Sequence, residues 1–190
     1  MKKNQGFTLI ELVIVVVILG LMAVTALPRF LSAQDNAQEA TVDGVAGGFA
    51  SAVSLVRAKW ELDGRPSGNV SSGNPNQTQV TYDNVTVGVD GTNGFPTGNG
   101  QATDTRASST SAQTCLEVFN LVLQSPPSAA VTSAGFKSVI YAVTSNGNNC
   151  HYYHTDTVST APTDNASPTL TGSHGFTYDV SSGQVSVFAI

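Results

Sequence analysis

Charge is scarce in this chain. Lys, Arg, Asp and Glu make up 11% of its 190 residues, against roughly 25% in an average soluble domain, so solubility rests on neutral polar groups, above all Ser, Thr, Asn and Gly. Basic residues are the scarcer sign: eight Lys and Arg stand against thirteen Asp and Glu, a net charge of -5. No basic cluster follows the first three residues. Nucleic-acid binding therefore lacks its electrostatic footprint and is disfavoured. Cysteine is limited to Cys115 and Cys150, with no CxxC spacing for metal or redox work. No P-loop, dinucleotide glycine motif, nucleophile elbow or zinc-protease helix occurs. The chain is read as a non-enzyme, without cofactor or metal.

What is present is one long apolar run. From Leu12 to Leu27 there are sixteen residues without a charge, and extension back to Phe7 gives twenty-one whose only charge is Glu11. That length can span a bilayer, and Lys2 and Lys3 before it put the extreme N-terminus on the cytoplasmic side. A cleaved secretory signal, with Val24-Thr25-Ala26 as its small-residue end, fits this pattern, and so does an uncleaved anchor. Glu11 counts against both: a carboxylate in an apolar helix costs about 2.5–3.5 kcal/mol on insertion scales. A residue that costly implies a partner.

Gly6-Phe7-Thr8-Leu9-Ile10-Glu11, preceded by Lys2 and Lys3 and followed by the apolar run, resembles the leader junction of type IV pilins and pseudopilins. The resemblance implies cleavage between Gly6 and Phe7 by a prepilin peptidase, N-methylation of Phe7, and pairing of Glu11 with the N-terminal amine of a neighbouring subunit, with Thr8 the nearest hydroxyl in its own chain. It implies three parts: a leader of residues 1–6, a membrane and filament-core helix of residues 7–31, and a globular head of residues 32–190. Gly20 and Pro28 match positions where pilins commonly carry the same residues and where their fibres unwind. A proline inside a helix costs about 3 kcal/mol, so a bend or weak point is expected near Pro28.

Beyond the apolar run, Val42, Val45, Phe49, Val53, Val56 and Trp60 recur at three- and four-residue intervals, which extends one helix from about Phe7 to Glu61 with a single apolar face in its second half. Gly44, Gly47 and Gly48 within it suit either close approach of another backbone or local flexibility. The stretch from Asp63 to about Ala112 is rich in Gly, Asn, Thr and Ser and reads as loop, with a hairpin or edge strands at Gln79–Tyr82 and Val85–Val89. Thr114–Gln124 has helical spacing and stops before Pro126-Pro127. Four strands follow in two hairpins, near 138–144, 150–155, 175–180 and 184–190. The expected fold class is α+β, a long N-terminal helix packed on an antiparallel sheet of about four strands, as in the type IV pilin fold.

An exported chain meets an oxidising compartment, so Cys115 and Cys150 are expected to be joined rather than left as two buried thiols; many type IV pilins carry one such pair. His151 and His154, three apart in a strand, point to opposite faces and cannot converge on a metal without a bulge, and His174 does not change this. Asp90-Gly91-Thr92-Asn93-Gly94 has fragments of a calcium-loop composition but no closing glutamate, and reads as a turn. The Asn-x-Ser/Thr sites at Asn69, Asn76, Asn84 and Asn165 carry no glycan if the leader is bacterial.

The function these readings imply is a structural subunit of a type IV pilus, stored in the inner membrane and then polymerised into an extracellular filament for surface attachment. Its partners would be further copies of itself, the prepilin peptidase, the assembly machinery and minor pilins. The loop-rich middle and late cysteine pair look most like the major pilin of mannose-sensitive haemagglutinin pili. The alternatives are a pseudopilin of a type II secretion system and a secreted binding module released after Ala26.

Overall fold

The computed structural model describes residues 7–70, 74–101, 104–132 and 136–190. Two compact units are present, one ending at Ala40 and one formed by Thr41–Ile190. The boundary falls inside the first helix, α1 (Leu9–Leu62).

In the first unit every large apolar side chain from Phe7 to Leu31 is exposed. Valine, leucine and isoleucine succeed one another here without the polar interruptions that would give the helix a wet face. Gly20 and Pro28 both lie within α1, which continues through them. Pro28 has no N–H to offer the Val24 carbonyl, and the Ser32 hydroxyl donates to the Pro28 carbonyl at 3.2 Å.

The second unit is an α+β head. Its part of α1 buries Val42, Ala46, Phe49, Val53, Val56 and Trp60, one stripe at helical spacing, with Val45 half-buried beside it. The main sheet has five strands, β4 (Ala129–Val131), β5 (Tyr141–Asn146), β6 (Asn149–His154), β7 (His174–Asp179) and β8 (Val185–Ala189), side by side in that order. A smaller sheet holds β1 (Gln79–Tyr82), β2 (Val85–Val89) and β3 (Pro96–Gly98). Between them in sequence lies α2 (Ala112–Val122). Its N-terminus is closed by a capping box, the Ser111 hydroxyl accepting from the Thr114 N–H while the Thr114 hydroxyl accepts from that of Ser111.

Two strands escape the sequence pattern. β4 is only three residues long and pairs in parallel with β5, so no hairpin turn announces it. β3 begins with Pro and ends with Gly, residues that weaken a strand signal, yet it pairs with β2 across a register shift. The remaining strands fall near their expected positions. Gly147 (φ +57°) makes the turn between β5 and β6, and Gly183 (φ +74°) the turn between β7 and β8.

Phe49 of α1, Phe119 of α2, and Tyr152, Phe176 and Tyr178 of the main sheet form the centre of the core. Ring centroids lie 5.4 Å apart for Phe49 and Phe176 and 4.7 Å for Tyr152 and Phe176. Two of the buried phenols find backbone acceptors: Tyr152 donates to the Cys115 carbonyl at 2.8 Å and Tyr178 to that of Pro96 at 2.9 Å. The sheet's other face is also covered, with Ala142, Tyr153 and Val158 packed beside Phe136, Leu170 and Phe188. That second cover buries His151, which shares the Tyr153 face of β6, while His154 is buried on the opposite face beside Tyr141.

Candidate assembly surface

The helix start in the first unit is built by Thr8 and Glu11. Thr8 stands one residue before α1, and the Glu11 carboxylate accepts from the Thr8 backbone N–H at 2.9 Å and its hydroxyl at 2.8 Å. In return the Glu11 N–H donates to the Thr8 hydroxyl at 3.3 Å. This is a reciprocal cap, written in the sequence as Thr-x-x-Glu. Sequence reasoning gave Glu11 one local partner, the Thr8 hydroxyl; the backbone donor is the second, and the four-residue signature was the clue to it.

Around this cap the surface is apolar. Phe7 is 90% exposed, and Phe7, Glu11, Leu12, Val15 and Val16 line a shallow hollow. Along the helix to Leu31, seventeen large apolar side chains are exposed. At about 1.5–3 kcal/mol for burial of each such side chain, leaving this surface in water forfeits tens of kcal/mol. The helix is long and apolar enough to cross a membrane. Gly6, Lys2 and Lys3 lie outside the described residues.

Among the described residues the head holds no comparable constellation. Cys115, in α2, and Cys150, at the start of β6, are joined in a disulfide that is fully buried, so α2 is tied to the centre of the main sheet. His151 and His154 sit on opposite faces of β6 as strand alternation requires. The His151 Nδ1 shares a hydrogen bond with the Thr177 hydroxyl at 2.9 Å, and His154 lies edge-on to Tyr141. Burial lowers the pKa of both imidazoles. Among the described residues no three metal-ligating side chains come together.

Asp90 does more than the turn expected of it. Its buried carboxylate accepts from the Thr92 N–H at 2.8 Å and, seventeen residues on, from the Ala107 N–H at 2.7 Å, which pins the loop region after β3 to the turn before it. Among the sequon asparagines, Asn69 both donates to and accepts from the Gln79 backbone, while Asn84 and Asn165 occupy positive φ. Cβ atoms at Gly44 and Gly47 would meet open space within this chain. A groove of about 620 Å³ beside Gly48, Leu55, Tyr82 and Leu123 is lined by one carboxylate, Asp83, and by no histidine, lysine or arginine.

The prokaryotic N-terminal methylation motif matches residues 1–27. The chain is 39% identical over 92 residues to the type IV narrow pilus major component PilA5 of Thermus thermophilus, an alignment covering 45% of this chain and 77% of that protein. The chain belongs to the type IV pilin family. It is also 33% identical over 105 residues to the fimbrial protein EcpC of Eikenella corrodens, covering 54% of this pilin and 66% of the relative. Similarity to the type II secretion system core protein G of Pseudomonas aeruginosa is shorter, 36% over 56 residues, or 30% of this chain and 39% of that protein. No solved structure matches.

Pilins are structural and polymerise into filaments, and this pilin is a pilus subunit, not an enzyme. No part of its own unit covers its exposed apolar helix.

Proposed function

We propose that this pilin is synthesised with a six-residue leader, held in the inner membrane by its apolar helix, cut between Gly6 and Phe7 by a prepilin peptidase, and N-methylated on Phe7. Assembly machinery and minor pilins then place it in a helical filament used for attachment to surfaces. The observation that carries this reading is the exposed, uniformly apolar helix face headed by Glu11. One surface serves lipid first and neighbouring helices afterwards. Glu11 supplies the switch: leader removal creates a charged amine on Phe7, and the Glu11 carboxylate of the next subunit takes it as its counter-ion. Unwinding between Gly20 and Pro28 belongs to the filament, where neighbouring chains can satisfy the carbonyls that it frees.

Within the family we place this pilin with the major pilins of mannose-sensitive haemagglutinin pili. The long hydroxyl- and amide-rich loops of the head and the late disulfide support that placement. The same disulfide and loops favour a filament exposed outside the cell over a pseudopilin.

Mass spectrometry of the mature N-terminus tests the processing step, and N-methylated Phe7 is expected. A mature chain beginning at Leu27 would refute it in favour of a secreted module. Glu11→Val tests the switch: the variant should still be cleaved and retained in the membrane but make few filaments. Normal filament numbers at matched subunit levels would remove Glu11 from assembly.

A further inference from the structure

The charges of the first unit have an order that its own fold leaves unused. Arg29 and Asp35 are both exposed, and among the described residues neither forms an ion pair. Helix geometry explains why. A side chain meets those three or four residues away, and for Arg29 these are Thr25, Ala26, Ser32 and Ala33, none of them acidic. The charged residue at that spacing from Asp35 is Glu39, which repels it. Between Glu11 and Arg29 there is no charge at all, so the apolar run ends in a cation followed six residues later by an anion. At the start of the run, the Phe7 amine and Glu11 repeat that order four residues apart.

We propose that Arg29 of one subunit pairs with Asp35 of a second copy of this chain, and that this pair sets the register of the packed helices at the far end of the apolar run. In two parallel helices, raising one copy by four residues, about 6 Å, brings its Phe7 amine level with Glu11 of the lower copy. The same displacement brings its Arg29 to within two residues, about 3 Å, of the level of the lower copy's Asp35, a gap that an arginine side chain spans. Both pairs have the same sense, cation on the raised copy and anion on the lower one. The proposal takes the direction of the stagger from the Phe7–Glu11 reading above. A smooth apolar surface between the two pairs does not distinguish one register from the next along the helix, and a charged pair of fixed spacing does.

Charge reversal in the full-length chain tests this. Arg29→Glu and Asp35→Arg should each reduce filament numbers roughly tenfold at matched subunit levels, and the double variant should return them to within about twofold of wild type, the coupling expected of partners in contact. As a second measurement, subunits bearing Arg29→Cys are co-assembled with subunits bearing Asp35→Cys, so that any new disulfide must join two subunits. Oxidised filaments should yield a covalent dimer roughly tenfold more abundant than when Arg29→Cys is combined with Glu39→Cys, whose offset is ten residues rather than six. Wild-type assembly from both single variants, or no rescue in the double variant together with no preference for the 29/35 cross-link, would overturn the proposal. Where a reversed variant fails to accumulate, the cross-link ratio decides. Glu11→Val, run in parallel, reads the other pair separately: normal filaments from it would sink the Phe7–Glu11 reading while the charge swap and the cross-link still judge Arg29 and Asp35.

Discussion

Phe49 and Ile14 are apolar residues of the same helix, yet Phe49 is fully buried while Ile14 is 51% exposed. The difference lies in who supplies the core. Thr41–Ile190 brings its own sheet, second helix and disulfide to the stripe that includes Phe49. The segment from Phe7 to Ala40 brings nothing of its own to cover its apolar side chains. A chain can therefore be folded in one part and unfinished in another, and the two parts should answer differently to the same substitution.

The largest effect should come from Phe49→Ala, which removes the ring at the meeting point of α1, α2 and the sheet. Such truncations cost about 3–5 kcal/mol, enough to consume much of the stability of a small head. Ile14→Ala should leave the stability of the detergent-solubilised subunit unchanged and act only on filament formation. Thermal unfolding of both variants, monitored by near-ultraviolet circular dichroism, checks the contrast. Equal losses would mean that the apolar helix contributes to the fold of the isolated subunit.

Next in size is the disulfide. It closes a loop with a sequence separation of 35, and removing that constraint from the unfolded chain costs about 3–4 kcal/mol in the chain-entropy treatment. Replacing both cysteines by serine should lower subunit abundance, with the filaments that do form keeping their usual appearance, because the bond belongs to the head alone. Immunoblotting of whole cells against filament counts separates the two. A parallel fall in assembly per subunit would show the bond to be part of the filament contact.

Gly183→Ala comes third. Gly183 sits at φ +74° in the turn between β7 and β8, and a Cβ there would lie 2.0 Å from the Phe95 ring, which is itself buried. Left-handed strain and the displaced ring together should cost about 1–3 kcal/mol. Gly147→Ala is the control, since its φ is +57° but nothing lies within 4 Å of its Cβ. It should lose only the strain. Equal losses in chemical denaturation would mean that the contact with Phe95 is relieved without cost.

How much of this was legible beforehand follows the same division. The stripe from Val42 to Trp60 and the hairpins of β5 to β8 rest on local periodicity and turn chemistry, and both are written in consecutive residues. Asp90 was readable as a turn, but not as the acceptor for Ala107, because that contact depends on where a loop returns. β4 was hidden for the same reason: Ala-Ala-Val is a strand only when β5 lies parallel beside it. Glu11 was legible as an anomaly from its cost in an apolar run, whereas its bond to the Thr8 N–H required attention to the capping signature. Arg29 and Asp35 gained meaning only once both were seen to lie exposed and unpaired on the helix.

The smallest effect expected is one of pH, and it too should be confined to the head. His151 and His154 have pKa values below the ordinary 6.5. Burial is the cause for His151; for His154 burial is the largest influence, Asp156 opposes it and His174 adds to it. Well above pH 6.5 both imidazoles are neutral whether the chain is folded or not, and their titration leaves stability unchanged. As pH falls below 6.5 the unfolded chain takes up protons that the folded head resists, so stability declines until the lowered folded values are passed. Replacing His154 by Phe keeps an aromatic ring beside Tyr141 and removes one of the two titrations. The variant's melting temperature should therefore fall less steeply than wild type between pH 6.5 and the acid end of the transition. Helix content of the first unit should stay level over the same range, since it contains no histidine. An unchanged slope in the variant would show that His154 gains a proton in the folded head as readily as in the unfolded chain, and that the acid sensitivity lies with His151 or with carboxylates such as Asp104, which Arg106 holds down at about 2.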